Sequence, residues 1–599
     1  MKLVKALFIS SIISSSLLVS SITANAGEDY TQWLHEFFDK VEEYSLKQNP
    51  LWAASRGDES AKGKLRDVSP EAYQVRKQEL QELLDELSSI KRSDLSAEDQ
   101  ISYDMMKSQL EQQVAEIDFK TYQMPLNSEW GFHVEAAGLA QRVSLRTYED
   151  YENYLALLTQ IPGFFQQNIS NMQAGQARGF SVPKAVLEGY SDGIKAYIKD
   201  NASETAWFAP FNNFPKHFTE EQKKELVKQA TTVIGQVVVP EYQNYLKFFE
   251  QEYYPNAKKT IAAYDFPDGK AYYQNQLKLY TTLDLTPDEI HQIGLSEVKR
   301  IRAEMEQVIK DSGFEGTFAE FLDFLRTDPQ FYAKTPEELI KEASYIAKRM
   351  DHKLPQFFGK LPRQPYGVVP VPEAIAPKYT TGRYSGAPLD STRAGEYWVN
   401  TYALDKRPLY NLEALTLHEA VPGHHLQTAL AKELEHLPNF RQNTYISAFG
   451  EGWGLYSEKL GLEAGFYQDP YSNFGRLTYE MWRAIRLVVD TGMHTKGWTR
   501  EQAIKMMEEN TALSTHNVRT EIDRYISWPA QALSYKLGEL KILELRAKAE
   551  KELGPDFDIR KFHDAVLANG SIPLSVLETQ IEQFIEQEKQ RLADKSQSS

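Results

Sequence analysis

Five helix-start signals, each followed by a periodic apolar run, constrain the fold of this chain more than any other feature. In a capping box, a Thr and a Glu or Gln three residues later each accept a hydrogen bond from the other's backbone N–H. The pattern occurs at Thr219–Gln222, Thr286–Glu289, Thr317–Glu320, Thr335–Glu338 and Thr499–Gln502. Two of these boxes also place proline at the first helical position. So many start signals predict a mainly α-helical protein.

One stretch breaks the helical pattern. Between Tyr366 and Tyr402, prolines and glycines separate short β-favouring pieces such as Gly367–Val369 and Glu396–Tyr402. We therefore predict one small β-sheet in this stretch.

The composition excludes several classes of function. Acidic residues outnumber basic residues by 84 to 67, which gives a formal charge of -17. This is the wrong sign for a protein that neutralises nucleic-acid phosphates, so nucleic acid is not an expected partner. The chain contains no cysteine, which excludes disulfides, thiol nucleophiles and cysteine-bound metals. Any metal must therefore bind to His, Asp or Glu.

The first 26 residues resemble an export signal. Lys2 and Lys5 precede an apolar run that reaches about Ile22, and Ala24–Ala26 offers the small residues of a signal-peptidase site. The run is too short and too rich in serine for a membrane span. We therefore expect cleavage after Ala26 and a soluble product in the periplasm or outside the cell, with no stable membrane insertion.

The sequence predicts four segments. After the signal peptide at 1–26, we expect an N-terminal helical region at 27–275 and a catalytic region at 276–590, since the capping box at Thr286 follows that boundary. The polar residues 591–599 predict a disordered tail. Nothing in the sequence predicts the oligomeric state.

The segment HEAVPGHH, residues 418–425, carries the chemistry. In the zinc signature H-E-x-x-H, two histidines one helical turn apart face one metal, and the glutamate acts as general base. Here the position four residues after His418 is Pro422, and the next histidines follow six and seven residues after His418. In a straight helix these partners would rise ~9 and ~10 Å along the axis, too far to share a metal.

A bend at Pro422 could restore the geometry. Proline removes the hydrogen bond to the carbonyl of His418, and the glycine that follows allows a kink. We predict His418 and His424 as metal ligands, with His425 as the alternative second ligand, and Glu419 as general base. The competing interpretation is a chance cluster of surface histidines, but three of the chain's 12 histidines lie within eight residues here.

A catalytic zinc also needs a third protein ligand and an open position for water. The segment FGEGWGLYSE, residues 449–458, offers Glu451 and Glu458, which are seven residues apart and therefore on one helical face. Small residues flank Glu451 and would let its helix approach another closely. We predict Glu451 as the third ligand and leave Glu458 as a supporting or solvated carboxylate.

These motifs resemble the bacterial family known as domain of unknown function 885. The resemblance rests on HEAVPGHHLQ, on EGWGLYSE and on RYISWPAQALSYKLG at 524–538, and it extends from about residue 30 to 590. That family resembles the gluzincin metallopeptidases, whose zinc is bound by two histidines and a glutamate from a second helix. The resemblance implies a large multi-helical gluzincin-like fold, with a small antiparallel sheet beside the active-site helix.

The resemblance also implies roles for individual residues. The EGWGLYSE string is similar to E-G-F-A-x-Y-x-E of zinc aminopeptidases, in which the first glutamate binds the metal, and this role carries over onto Glu451. The ALSYKLG piece is similar to the tyrosine-rich helix of oligopeptidases, which makes Tyr535 the candidate donor to the oxyanion, with His516 and Tyr525 as alternatives. Gluzincins pair substrate with an edge strand, and 396–402 is expected to be that strand.

These residues predict an exported zinc-dependent metallopeptidase. Zn²⁺ is the expected cofactor and a peptide or oligopeptide the expected substrate. Arg519 and Arg524 are candidates for binding a substrate carboxylate through a bidentate fork. Two alternatives stay open: a zinc-dependent esterase or amidase, and a non-catalytic secreted helical protein that binds peptides.

Overall fold

The computed structural model describes residues 28–597, apart from 374–375, 377–378 and 390–391. Across this part of the chain the protein is mainly helical, as predicted, with one three-stranded sheet. The predicted signal peptide at 1–26 lies outside the described residues. None of the described helices combines the length and the apolar character that a bilayer span requires.

The first ten helices form the N-terminal part. They are α1 (Glu28–Gln48), α2 (Pro50–Ser55), α3 (Pro70–Ser88), α4 (Ala97–Phe119), α5 (Phe132–Ala137), α6 (Tyr148–Ala177), α7 (Tyr190–Lys195), α8 (Glu220–Val233), α9 (Val239–Phe248) and α10 (Gly269–Thr281). Two turns of π-helix, Ile234–Val238 and Phe249–Tyr253, flank α9.

Thirteen helices follow in the C-terminal part. They are α11 (Pro287–Asp311), α12 (Phe318–Thr327), α13 (Pro336–Phe357), α14 (Leu412–Glu419), α15 (His424–Lys432), α16 (Asn439–Asn443), α17 (Ser447–Leu460), α18 (Pro470–Thr495), α19 (Arg500–Glu508), α20 (Thr515–Ser527), α21 (Ser534–Leu553), α22 (Ile559–Leu567) and α23 (Leu574–Gln597). Among them, α18 is buried along most of its length and forms the centre of this part.

The predicted capping boxes begin helices. Those at Thr219, Thr286, Thr317 and Thr499 make both reciprocal hydrogen bonds. The box at Thr335 is incomplete: its hydroxyl accepts the N–H at the third helical position, but the carboxylate there accepts the N–H of the residue before Thr335. The helix forms in either case, because one satisfied N–H already supports the first turn.

The predicted boundary between 275 and 276 falls inside α10. This helix buries Tyr273 and Leu277 in one apolar cluster with Ile290 of α11 and Leu533 just before α21. Side chains of both predicted regions thus form a shared core. The capping box at Thr286 marks the beginning of a helix and not of a domain.

Most of the segment predicted as a disordered tail, 591–599, is helical in the structure. α23 continues to Gln597, while 598–599 lie outside the described residues. The side chain of Gln590 donates to Asp594 at 2.7 Å, and that of Arg591 donates to Glu588 at 2.8 Å. Pairs at these spacings stabilise an exposed helix, which the polar composition alone did not indicate.

The sheet is mixed, so the expectation of an antiparallel sheet is wrong in part. Its strands are β1 (Tyr366–Pro370), β2 (Gly382–Ser385) and β3 (Gly395–Val399), in the order β1-β3-β2. β3 runs parallel to β1 and antiparallel to β2. The segment predicted as an edge strand therefore supplies the central strand, because β3 buries alternate residues and pairs on both sides. The edge strand beside α14 is β2.

Candidate metal centre

A tight turn between α14 and α15 brings two histidines together. The backbone N–H of Gly423 donates back to a carbonyl in the last turn of α14 at 3.0 Å, so the chain folds across the end of that helix. A Cβ atom on Gly423 would collide with the carbonyl of His418, which explains the glycine. The indole N–H of Trp453 donates to the carbonyl of Pro422 at 2.8 Å and ties the turn to α17.

His418, His424 and Glu451 converge on one point. The two imidazole ring centroids are 4.7 Å apart, and the rings are inclined by 87°. Nε2 of His418 and Nε2 of His424 each lie 3.4 Å from Oε2 of Glu451. In the described part of the chain, these three residues form a group whose potential ligand atoms all lie within 4.8 Å of one another. The structure thus brings the predicted ligands together; their binding of a metal stays a prediction.

The spacing and the chemistry of the donors fit zinc. A tetrahedral ion with bonds of about 2.0–2.1 Å would hold its ligand atoms about 3.3 Å apart, and the two carboxylate–imidazole separations are 3.4 Å. Two imidazoles and one carboxylate leave the fourth position for water, as in catalytic zinc sites. The side chains of His424 and Glu451 are 13% and 15% exposed, so solvent reaches the group.

The electrostatics of the site favour positive charge. Burial lowers the pKa of His418, but its contacts with Glu451 and Glu458 outweigh burial and raise the pKa to about 9. Burial raises the pKa of Glu451, yet His424 and His418 outweigh it and hold this pKa well below its ordinary value. The carboxylate of Glu451 therefore stays ionised, and a cation bound between it and the two imidazoles would neutralise its negative charge.

Glu458 supports His418 from the opposite side. Oε1 of Glu458 lies 2.8 Å from Nδ1 of His418, and the carboxylate is buried. Metal-binding histidines commonly donate their second ring N–H to a carboxylate, which fixes the tautomer and the ring orientation. Gly454 makes room for this arrangement, because a Cβ there would lie 2.7 Å from Nε2 of His418. Of the two roles considered for Glu458, the structure favours the supporting one.

Glu419 lies at the end of α14, beside the convergent group. Its Oε2 accepts the backbone N–H of Tyr384 on β2 at 2.8 Å, and its charge contributes to the raised pKa of His418. His425, the alternative ligand, is turned away from the group. Its Nδ1 lies 3.0 Å from the hydroxyl of Tyr384, and its ring centroid lies 4.5 Å from that of Tyr366. His425 therefore helps to position β2.

The three candidates for the oxyanion donor differ in their surroundings. Tyr525 is fully buried, and its hydroxyl accepts from Arg486 and donates to a carboxylate of α20, so it is already engaged. His516 is exposed on α20. Tyr535 is partly buried, 4.3 Å from ring centroid to the guanidinium carbon of Arg486. Tyr535 lies in the first turn of α21, where the hydroxyl of the neighbouring Ser534 is 2.8 Å from that of Ser447 at the start of α17, the helix that carries Glu451.

Sequence reasoning missed two tyrosines of the site, Tyr384 and Tyr445. The hydroxyl of Tyr445 donates to Oε1 of Glu451 at 2.9 Å, and 55% of the residue is exposed. Tyr384 holds Glu419 from a strand more than 30 residues upstream. Neither belongs to a recognisable motif. The one available signal was the place of Tyr445, six residues before Glu451 at the approach to α17.

A cavity of about 930 Å³ lies elsewhere, in the N-terminal part. Its lining includes Tyr44, Trp52, Arg76 and Glu116, and it contains none of the convergent residues. This cavity therefore does not coincide with the candidate site, which is identified by the convergence of potential metal ligands.

Comparison with known families assigns the chain to a bacterial protein family. Its sequence matches the family described as "Bacterial protein of unknown function (DUF885)" over residues 50–581. The chain belongs to this family. The DUF885 match includes α14, α15 and α17, which carry the convergent group. Among curated proteins, none matches the sequence.

Two solved structures share the fold. A crystal structure from Colwellia psychrerythraea has 31% sequence identity and a TM-score of 0.87, over 93% of this chain and 99% of that chain. A structure from Shewanella oneidensis has 18% identity and a TM-score of 0.73, over 92% of this chain and 99% of that chain. Both proteins are described as a "putative lipoprotein", the second one of unknown function.

Proposed function

We propose that this DUF885 protein is an exported zinc-dependent metallopeptidase that hydrolyses peptides or oligopeptides. The observation that carries the proposal is the convergence of His418, His424 and Glu451, with Glu419 adjacent to them. The arrangement of two helices around these residues, with an edge strand alongside, supports a gluzincin-like catalytic region. The signal-like first 26 residues support export, as do the descriptions of the two similar structures as lipoproteins.

The proposed mechanism divides the work between the metal and the chain. His418, His424 and Glu451 would hold zinc, and Glu458 would fix the tautomer of His418. Zinc, when bound, lowers the pKa of water and polarises the carbonyl of the substrate. Glu419 takes the proton from the attacking water and passes it to the leaving amine. The N–H of Tyr384 keeps the carboxylate of Glu419 oriented for both transfers.

Two further elements complete the proposed site. Tyr535 donates a hydrogen bond to the oxyanion that develops on the substrate carbonyl. β2, and not the segment 396–402, offers the edge along which an extended peptide can pair, since β3 is enclosed by its two neighbours.

The test is the substitution Glu419→Gln in zinc-loaded protein. Loss of the general base should lower turnover of a peptide library by at least about 100-fold, while zinc content per chain stays unchanged. Glu435→Gln, at a side chain that is 80% exposed, is the matched control and should keep full activity. Mass spectrometry of the products measures turnover, and elemental analysis measures zinc.

Other outcomes would favour the alternatives. Hydrolysis of esters or non-peptide amides without hydrolysis of any peptide would favour the esterase or amidase. A chain that binds peptides, cleaves none and takes up no zinc even after reconstitution would favour the non-catalytic binding protein. Full activity of Glu419→Gln would remove Glu419 from the mechanism.

A further inference from the structure

A group of arginines lies beside the proposed metal centre. Arg483 and Arg486 are three residues apart on α18, and Arg524 lies on α20. Arg483 is close to the site itself, because its Nη2 lies 3.7 Å from Oε1 of Glu458. Arg486 stacks on Tyr535, the proposed oxyanion donor. The arginine group is therefore adjacent to the proposed catalytic residues.

The positive charge of this group is not fully balanced. Arg486 and Arg524 share one carboxylate oxygen, Oε2 of Glu521, at 3.1 and 3.4 Å. The hydroxyl of Tyr525 donates to the same oxygen at 2.6 Å. Arg486 is 2% exposed, and its Nη1 has no hydrogen-bond partner among the described residues. Two guanidinium groups against one carboxylate leave one excess positive charge, which is costly in a buried place.

Two further charged residues act on this group. Burial raises the pKa of Glu129, while the charges of Arg524, Arg383 and Arg486 lower it. Arg383 is exposed on β2 and directly precedes the tyrosine whose N–H holds the proposed general base. The excess of positive charge therefore lies at the pair Arg486 and Arg524, which share the single carboxylate of Glu521, in a protein whose net charge is -17.

We infer that Arg524, backed by the buried Arg486, forms a subsite for a carboxylate of the substrate. This inference rests on the proposed function. The carboxylate would come from the C-terminus of a short peptide or from an acidic side chain close to the cleaved bond. Arg524 is the contacting residue, because its side chain is 14% exposed and Arg486 is enclosed.

The donors of Arg524 allow this contact. Its Nη1 is directed to Glu521 and its Nη2 to the side chain of Gln531. A guanidinium has five N–H donors, so others stay available for a carboxylate. Arg524 is connected to Tyr535 through Arg486, which pairs with the same oxygen of Glu521 and stacks on the ring of Tyr535. A carboxylate bound by Arg524 would therefore lie on the side of the proposed oxyanion donor.

The test compares three peptides of one uncharged sequence with zinc-loaded, full-length protein. The first has a free C-terminal carboxylate, the second a C-terminal amide, and the third an amide with glutamate as its last residue. We expect kcat/KM to be about tenfold or more higher for a carboxylate-bearing peptide than for the neutral amide, the size of one charge-assisted hydrogen bond. The first and third peptides distinguish the two sources of the carboxylate.

Variants assign the effect to Arg524. Arg524→Gln should remove most of the preference. Arg524→Lys keeps the positive charge but lacks the bidentate fork, so it should lose part of the preference. Arg591→Gln is the matched control, at a side chain that is 48% exposed on α23, and should keep the preference. Equal hydrolysis of all three peptides by the unmodified protein would contradict the subsite without the need for a variant, and hydrolysis itself would still support the peptidase.

A binding measurement separates this inference from the proposed function. Calorimetry with zinc-loaded Glu419→Gln measures affinity for the same peptides in the absence of turnover. If no peptide is hydrolysed, a carboxylate preference in binding that Arg524→Gln removes would support the subsite and contradict the peptidase. Equal affinity for all three peptides would contradict the subsite.

Discussion

Two clusters of charged side chains in the C-terminal part are balanced in different ways. The first is the candidate metal centre, His418, His424 and Glu451, on α14, α15 and α17. The second, which we term the Lys536 network, joins α11, α18 and α21 and consists of Lys536, Arg300 and Arg476 with Glu297, Glu304, Glu480 and Glu539. Lys536 is fully enclosed and lies 2.7, 2.8 and 3.1 Å from the carboxylates of Glu539, Glu480 and Glu297.

The difference lies in where the counter-charge comes from. In the Lys536 network, three cations of the chain pair with three carboxylates of the interior, and the more exposed Glu304 pairs with both arginines. Burial raises the pKa of Glu480, but its three cationic neighbours outweigh burial and hold this pKa far below its ordinary value. In the candidate metal centre, potential ligand atoms of two histidines and one glutamate lie within 4.8 Å of one another. Buried charge alone therefore does not indicate a metal site, and the feature that supports the proposal is the convergence of these ligand atoms.

The largest expected effect comes from breaking the balance of the network. Lys536→Met would leave buried carboxylates without their shared cation, so we expect the free energy of unfolding to fall by about 3–5 kcal/mol. Urea unfolding measures this change, and elemental analysis of the folded fraction should show unchanged zinc binding. Lys548→Met, on the same helix but at an exposed pair with Glu582, is the control and should cost less than about 1 kcal/mol. Equal losses of unfolding free energy in Lys536→Met and Lys548→Met would contradict the structural role that we give to the Lys536 network.

The two clusters were not equally predictable from the sequence. The convergence of His418, His424 and Glu451 was predictable because HEAVPGHH and EGWGLYSE keep these residues within short motifs, and the proline–glycine step indicated where the helix ends. The Lys536 network was not, since its partners come from helices almost 240 residues apart, between Glu297 and Lys536, and each charge alone is typical of a solvated helix face. Helix starts could be predicted from local capping chemistry.

Features that depend on long-range packing escaped prediction for the same reason. The strand pieces were recognisable, but β3 becomes central only because β1 and β2 enclose it. The contact between Tyr384 and Glu419 joins that sheet to α14. The boundary expected near residue 275 lies inside α10, where one apolar cluster includes side chains from both sides of it. Local signals determine where elements begin, whereas tertiary packing determines which elements are neighbours.

A smaller effect is expected from the residue that supports the metal centre. Glu458→Gln removes the negative charge behind His418, so we expect zinc affinity to fall about 10- to 100-fold. Competition with a chelator of known affinity measures the change. Glu463→Gln, at a more exposed position of the same chain segment that pairs with Arg546, is the control and should leave zinc affinity unchanged. An unaltered affinity in Glu458→Gln would reduce Glu458 to a packing role.

The smallest expected effect distinguishes the two tyrosines that border the metal centre. Tyr445 donates to Oε1 of Glu451, the oxygen that does not face the histidines. Tyr445→Phe removes one hydrogen bond to a ligand that keeps its other oxygen in place, so zinc affinity should fall only about two- to tenfold. Tyr535→Phe should leave zinc affinity unchanged and lower kcat instead, because its proposed hydrogen bond forms only as charge develops on the substrate.

Measurements of zinc affinity and kcat would also reveal the opposite assignment of the two tyrosines. Tyr445 is 55% exposed, so its hydroxyl can leave Glu451 when a substrate arrives. If Tyr445→Phe lowers kcat by about 100-fold with little change in KM or in zinc affinity, whereas Tyr535→Phe changes none of the three, Tyr445 is the oxyanion donor and Tyr535 only shields the arginine group. In that case the tyrosine that the motif indicated has a structural role, and the catalytic hydroxyl belongs to the residue that no motif marks.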